Sequence, residues 1–357
     1  MSSTLREPET RSASSRSAAS ASLPTGAWLR VSVVIPTFHR PDLIVRCLDA
    51  LVGQSLDAAA FEIIVVDDGR SADTQAAVYD VAARHPTHTI RYTRPTAGHG
   101  PAAARNTGWR AARAALIAFT DDDTVPDRDW LANGERALAD DVVAVAGRVR
   151  VPAPGRASGR SGDGPTDHEL MTRGLEHAEF ITANAFVRRI ALAEVGGFDE
   201  RFERAWREDS DLQFRLLKES GRIVSCADAV VVHPVRPERW GVSLRQQKNV
   251  FYDALLFKKH PRLYRERILR APPWDHYAVV SLSIVAAVFS VAGVAGSALV
   301  SAAVALVLIA ALARRRLRGT SHAPAHVVEM LVTSAAIPFL SVYWRLRGAL
   351  HFRVAYF

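Results

Sequence analysis

The chain predicts an α/β fold followed by a helical, membrane-associated region, and three observations carry that expectation. Short β-branched runs alternate with helical segments between residues 31 and 233. Two of the runs end in carboxylates, at Asp67 and Asp68 and again at Asp121, Asp122 and Asp123. Beyond His260 the character changes, and residues 278–313 hold no charged side chain. Continuous apolar strands alternating with helices imply a parallel sheet covered on both faces. Such sheets bind ligands outside the carboxyl ends of their strands, where both acidic clusters fall.

The elements follow in order. Residues 31–36 form a β-branched strand, and Pro41 suits the first turn of a helix reaching about residue 52. A buried strand at 61–66, a helix at 72–83, a short strand at 89–93 and a helix at 102–113 come next. The strand at 116–120 precedes a helix at 127–139 and a strand at 142–149. The Gly/Pro/Ser/Arg segment 152–167 is too long and polar to pack fully, which predicts a mobile loop. A second half has a strand at 181–187, a helix at 190–195, a G-G-F-D turn at Gly196 and a helix at 208–220. Two closing strands are expected at 222–225 and 229–233.

Residues 1–27 are rich in Ser, Ala, Arg and Thr without an apolar core, which predicts a disordered tail and no signal peptide. The stretch 278–313 is too long for one span of about 20 residues. Gly293 and Gly296 divide it, so it reads as a tight helical hairpin. The segment 327–344 is also apolar but contains Glu329 and Pro338, which favours an interfacial or re-entrant helix over a third span.

The formal charge is +8, nearly all of the basic excess being Arg. The excess clusters at 258–270, 314–318 and 345–353, beside the apolar stretches. Basic residues bordering apolar spans point to the cytoplasmic side of a membrane. Nucleic acid is not expected as a partner, because no aromatic residues interleave with the basic ones. Cys47 and Cys226 are the only cysteines. They make neither a metal spacing nor a disulfide framework and are expected as small hydrophobes.

The acidic clusters carry the chemistry. Alternate residues of an extended segment share a side, so Asp121 and Asp123 can face one ion. A few hard oxygens fit magnesium or manganese bridging to substrate phosphates. A solvated acidic turn is the plainer alternative for an isolated D-D-D. Asp68 can accept from a nucleobase N–H, while Asp67-Asp68-Gly69 also suits an Asx turn. In G-H-G-P-A-A-A-R-N-T-G, beginning at Gly98, the small residues allow close backbone approach and Arg105 can neutralise a diphosphate. The segment is not a Walker A loop, since no Lys-Ser/Thr ends it. Glu208 and Asp209 open a helix, where one acid serves as a cap and a second exceeds that need. His233, ending an apolar strand, is a candidate third metal ligand.

Together V-S-V-V-I-P-T-F, V-V-D-D-G, A-A-R-N-T-G, T-D-D-D, G-G-F-D-E-R-F and R-E-D-S-D-L resemble family 2 inverting glycosyltransferases of the GT-A fold, a Rossmann-like α/β architecture. The resemblance covers about residues 31–234. It implies a nucleotide-sugar donor, with Pro36, Thr37 and Asp68 around the base and Arg105 near the nucleotide. Asp121 and Asp123 would form the D-x-D pair that handles sugar and metal, Asp123 the firmer ligand of a divalent Mn or Mg. Asp209, with Glu208, would supply the catalytic acid pair, Asp209 as base, and His233 would match a metal-binding His of some members.

No Q-x-x-R-W follows the E-D pair; Arg245-Gln246-Gln247-Lys248-Asn249 occupies that region. Transfer of a single sugar is therefore expected rather than processive synthesis. The expected organisation is a glycosyltransferase domain at 28–260, facing the cytoplasm, and membrane-associated helices at 261–357. A membrane location points to a lipid-linked saccharide or glycolipid acceptor. Transfer to polyprenyl phosphate, a nucleotidyltransferase and a catalytically silent nucleotide-sugar binder are the alternatives.

Overall fold

The computed structural model of the chain describes residues 29–152 and 164–356. The expected tail at 1–27 and most of the expected loop at 152–167 lie outside the described residues.

Eight strands form one sheet: β1 (Val31–Thr37), β2 (Phe61–Asp67), β3 (Thr89–Thr93), β4 (Leu116–Thr120), β5 (Val125–Pro126), β6 (Val142–Arg150), β7 (Asn184–Arg188) and β8 (Arg222–Val232). Their order is β3-β2-β1-β4-β7-β6-β8-β5. The strands β1, β2, β3 and β4 pair in parallel. The expected all-parallel sheet is corrected at β7, which runs antiparallel to both β4 and β6. A strand buried on both faces looks the same in either direction, so its direction is not encoded in its apolarity. Two reversals cancel, so β6 and β8, mutually parallel, run with β1, β2 and β4. Thr37, Asp67, Thr120 and Val232 thus all end at one edge.

Burial follows the strand runs. Val31, Val33, Ile35, Ile63 and Val65 pack on one side of the sheet against Ile44, Leu48, Leu51 and Val78 of the Pro41–Val52 and Ala72–Arg84 helices. Val34, Ile64, Val66 and Phe119 pack on the other side, with Ala102, Ala104 and Trp109 of the Pro101–Ala111 helix and Leu212 and Leu216 of the Glu208–Glu219 helix. Cys47 is buried in the first layer and Cys226 is half-buried; both are free thiols. Burial pushes the Cys47 thiol far up, so it stays protonated.

Several boundaries differ from expectation. The helix expected at 127–139 is Trp130–Arg136, because Val125 and Pro126 first pair with β8. The two closing strands are one, interrupted by a bulge between Cys226 and Val230. The helix Asp167–Arg173 was not anticipated; Thr166 and Glu169 close it with a capping box. Asn184 fastens the second half. Its amide donates to the Arg148 and Ala229 carbonyls, each at 2.9 Å, and its oxygen accepts from Trp130 Nε1 at 2.8 Å.

After β8 the chain forms the Val250–Lys259 and Pro261–Arg267 helices and then three helices long and apolar enough to cross a membrane: Trp274–Val291, Ala295–Leu317 and Pro324–Phe352. The first two form the expected hairpin. Gly293, at φ 75, turns it, and Gly296 lies inside the second helix. The third is a single 29-residue helix, longer than expected, with Pro338 accommodated inside it. In its apolar window 44% is buried within the protein, against 11% in each hairpin helix. Its Gly348 lies against Phe251, where an added Cβ would meet the backbone oxygen at 2.5 Å. Arg316, ending the second helix, ties these parts together. It donates to Thr333 Oγ1 at 2.7 Å and to Ser334 Oγ at 3.1 Å on the third helix. It also donates to Asp167 Oδ2 at 2.8 Å and Ser243 Oγ at 3.0 Å.

A third apolar cluster joins Phe202 and Phe214 to Tyr252, Leu255, Tyr264 and Tyr356. It bridges the sheet layers and the end of the described chain.

Candidate active site

The carboxyl edge of the sheet opens into a cavity of about 1350 Å³. Pro36, Thr37, Asp68, Arg105, Asp121, Asp123, Glu208, Asp209 and His233, the residues singled out in the sequence, all line it.

The D-D-D segment is a turn after β4 and not the extended run expected, yet its three carboxylates part company. Asp122 points inward, accepting from Thr37 Oγ1 at 2.7 Å and from Arg40 Nη1 at 3.1 Å. Burial raises its carboxyl above the ordinary range, with Arg40 and Thr37 opposing. It ties the turn after β4 to Thr37 at the end of β1 and itself borders the cavity. Asp121 and Asp123 face the cavity. Thr124 Oγ1 donates to the Asp121 carbonyl at 2.7 Å, closing the turn.

The pairing of β5 with β8, Val125 opposite Val232, carries Asp123 to His233. Asp121, Asp123 and His233 bring ligand atoms within 4.8 Å of one another. His233 Nδ1 is buried with no partner among the described residues. Two carboxylates and an imidazole with an uncommitted nitrogen fit a hard divalent cation. Asp123 is nearly fully buried and is met by His233 Nε2 at 3.5 Å and by Arg236 Nε at 3.0 Å.

Arg105 is not an open phosphate ligand. It is buried in its helix, donating to Asp121 Oδ1 at 2.8 Å and to Glu208 Oε1 at 3.0 Å. It joins the acid after β4 to the acid opening the Glu208–Glu219 helix. Burial first, then the adjacent Asp209, push the Glu208 carboxyl up to about 8, with Arg105 opposing. Asp209 is half-buried at the cavity, accepting from Ser210 N–H at 2.8 Å. Burial raises its carboxyl too, with Arg105 and Arg207 opposing. Asp211 belongs elsewhere. It accepts from His260 at 3.0 Å and pairs with Lys259 at 2.6 Å and Arg215 at 2.8 Å. Burial works against its charge, but the His260 hydrogen bond and the Arg215 and Lys259 cations outweigh it and hold Asp211 below the usual range.

The backbone entering the acidic helix is strained. Arg207 takes φ 76, the left-handed region that favours glycine. Asp253 holds it there, accepting from Arg207 Nε at 2.7 Å and Trp206 Nε1 at 3.0 Å.

Asp67 and Asp68 separate cleanly. Asp67 makes the turn, accepting from Gly69 N–H at 2.9 Å, Ser71 N–H at 2.8 Å and Tyr92 OH at 2.7 Å. Asp68 lines the cavity and accepts from Gly100 N–H at 2.8 Å. Asn106 pins the G-G-F-D turn, accepting from Phe198 N–H at 2.9 Å and donating to its carbonyl at 2.9 Å.

Residues that sequence patterns did not single out complete the cavity. Arg40, Arg236, Trp206, Tyr252 and Ile268 line it, and Asp253 supports it. Arg40, Tyr252, Asp253 and Ile268 arrive from segments with no motif of their own, whereas Trp206 opens the W-R-E-D-S-D-L run and Arg236 closes the H-P-V-R run after β8.

Comparison with known proteins agrees with this architecture. Residues 32–196 match glycosyl transferase family 2, and residues 116–314 match glycosyl transferase family group 2. The glycosyltransferase AglE of Haloferax volcanii is 27% identical over 246 residues, 68% of this chain and 79% of its own length. The pre-mycofactocin glycosyltransferase of Mycobacterium tuberculosis is 31% identical over 58% of this chain and 43% of its own. Validoxylamine A glucosyltransferase of Streptomyces hygroscopicus is 29% identical over 52% of this chain and 51% of its own. The matched segment thus spans about half or less of the last two. The mannosyltransferase PcManGT of Pyrobaculum calidifontis, solved with GDP-Man and Mn2+, superposes with a TM-score of 0.56 at 21% identity. That match covers 90% of this chain and 87% of the other. The sheet, its acidic edge and these matches converge: the chain belongs to glycosyl transferase family group 2, residues 32–196 also matching glycosyl transferase family 2, and has the GT-A fold.

Proposed function

We propose that the protein transfers a single sugar, with inversion, from a nucleotide-sugar donor to a hydroxyl of a lipid-linked saccharide or glycolipid. The observation that carries this reading is one cavity shared by Asp209 and by the Asp121, Asp123 and His233 cluster. PcManGT, of the same fold, was solved with GDP-Man and Mn2+, which supports a nucleotide-sugar donor and a divalent cation here.

In the reaction, Asp209 takes the proton of the acceptor hydroxyl. That oxygen bonds to the anomeric carbon as the bond to the nucleoside diphosphate breaks on the opposite face. The raised proton affinity of a partly buried carboxylate suits a base working near neutrality. Arg105 keeps Asp121 and Glu208 in register, and Arg207, held by Asp253, orients the start of the acidic helix. Asp68 and Pro36 take the base end of the donor. Asp123, Asp121 and His233 would hold Mn or Mg, which when bound neutralises charge on the departing diphosphate. The catalytic domain is assigned to the cytoplasmic side, because Arg262, Arg265, Arg267 and Arg270 precede the hairpin and Arg314, Arg315, Arg316 and Arg318 end it. The lipid-linked acceptor is supported by the same helices.

The test is nucleoside diphosphate release by full-length protein in detergent, across UDP-, GDP- and dTDP-sugars with Mn2+ or Mg2+ and a membrane lipid extract. Lipid-stimulated release from one donor is expected, lost in Asp123→Ala and in Asp209→Asn. Asp209→Asn should still bind the donor. Full activity in Asp209→Asn removes the base, pyrophosphate release indicates a nucleotidyltransferase, and a phosphate-linked monosaccharide product indicates transfer to polyprenyl phosphate.

A further inference from the structure

Asp123 is almost fully buried, yet its compensation comes from an unusual source. Arg236, three residues after His233, reaches back and places Nε 3.0 Å from Asp123 Oδ2. The Asp123 side chain is 4% exposed and that of Arg236 is 39% exposed. A buried carboxylate without a cation is costly, so the guanidinium performs a real electrostatic task. It is also more exposed than His233, whose side chain beside the same carboxylate is 11% exposed. Arg236 stands in the wall between the main cavity and a smaller one of about 300 Å³ formed with the Asp167–Arg173 helix and the start of the third apolar helix, so it has space on both sides.

We propose that Arg236 is an exchangeable counter-ion: it neutralises Asp123 in the ligand-free protein, yields that carboxylate to the divalent cation, and then pairs with the donor diphosphate. The inference rests on the metal and donor reading above. Its logic is charge balance. A cation beside Asp123 Oδ1 and the guanidinium on Oδ2 compete for the charge of one carboxylate, so Arg236 weakens metal binding to the free protein. Once displaced, the guanidinium remains in the wall of the same cavity, and its planar fork suits phosphate oxygens. The incoming diphosphate supplies the negative charge that Asp123 no longer offers. Metal and nucleotide therefore help each other bind through Arg236, and the coupling is reciprocal. His233, whose Nε2 lies 3.5 Å from Asp123 Oδ1, stays as ligand throughout.

The proposal requires opposite signs for one substitution. In full-length Arg236→Ala, Mn2+ bound without nucleotide, read by the free-Mn2+ electron paramagnetic resonance signal, should bind three- to tenfold more tightly than in wild type. UDP or GDP, whichever wild type binds with Mn2+ present, should bind tenfold or more weakly to Arg236→Ala by calorimetry. Arg236→Lys keeps the charge and should stay within threefold of wild type for Mn2+, while losing nucleotide affinity through the missing fork. A purely structural Arg236 would weaken both ligands together, and that result, or unchanged Mn2+ affinity in Arg236→Ala, overturns the proposal. Wild-type protein that binds no Mn2+ overturns the metal reading along with it, so the two failures are distinct. A matching thermal midpoint for both variants confirms that they are folded.

Discussion

Arg105 Nη1 donates to Glu208 Oε1 at 3.0 Å inside the protein, across 103 residues of sequence, with each side chain 3% exposed. The other Glu208 oxygen is buried without a partner among the described residues. One guanidinium contact does not offset the burial of this acid beside Asp209, and its carboxyl is pushed up to about 8 from 4.5.

That shift sets a pH dependence. Between about 4.5 and 8 the folded protein holds a proton at Glu208 that the unfolded chain has released. Stability from this group is therefore present at low pH and lost as pH rises through that window. The expected loss is on the order of 1.4 kcal/mol for each pH unit crossed inside that window. Urea unfolding of metal-free protein at pH 5 and pH 8 measures it. Glu208→Gln, which mimics the protonated acid, should flatten the difference between the two pH values.

Asn184 predicts a large penalty away from the chemistry. Asn184→Ala strips partners from Trp130 Nε1 and from the Arg148 and Ala229 carbonyls at once. The cost should be roughly 2–4 kcal/mol, since buried polar groups left unmade dominate such losses. A thermal midpoint unchanged within error would show that water replaces the amide.

Gly100 predicts a local defect. It takes φ 88, and a Cβ there would sit 2.5 Å from the Glu203 carbonyl oxygen. Gly100→Ala should move the loop off Asp68 and weaken nucleoside diphosphate binding about tenfold, this extended positive-φ conformation alone costing a residue with a side chain about 1–3 kcal/mol. Calorimetry with UDP and GDP reads it, and unaltered affinity would detach this loop from the donor site.

Truncation tests how the parts depend on each other. Removing residues 271–357 deletes the apolar helices but also Tyr356, whose hydroxyl meets that of Tyr264 at 2.5 Å. Tyr252, Phe257 and Tyr264 would lose their cover. The expectation is a protein without a cooperative melting transition. A sharply melting truncated domain would show that the cluster is dispensable.

Much of the site was legible because its residues sit where apolar periodicity stops. Asp68, Asp121, Asp123 and His233 each follow a β-branched run, and the parallel direction of those runs brings them to one edge. What the patterns concealed was partnership across distance. Nothing local distinguishes Asp67, which makes a turn, from Asp68, which lines the cavity, or Asp122, tied to Thr37, from its two neighbours. Arg105 read as a phosphate ligand because its carboxylate partners lie 16 and 103 residues away. The direction of β7 was equally hidden, since a doubly buried strand carries no mark of its polarity. The two-residue β5 is too short for any period to show, yet it delivers Asp123 to His233.

The contact between Tyr264 and Tyr356 also orders events in time. They are 92 residues apart, and all three apolar helices lie between them. At about 5–20 residues per second, the second tyrosine leaves the ribosome on the order of 5–20 s after the first. Phe214 and Tyr252, which belong to the same cluster, also form part of the cavity wall. The nascent enzyme is therefore unfinished until its last helix has been made, and the chamber acquires its final backing only when the segments suited to a bilayer are complete. Completion of the pocket thus waits on synthesis of all three apolar helices.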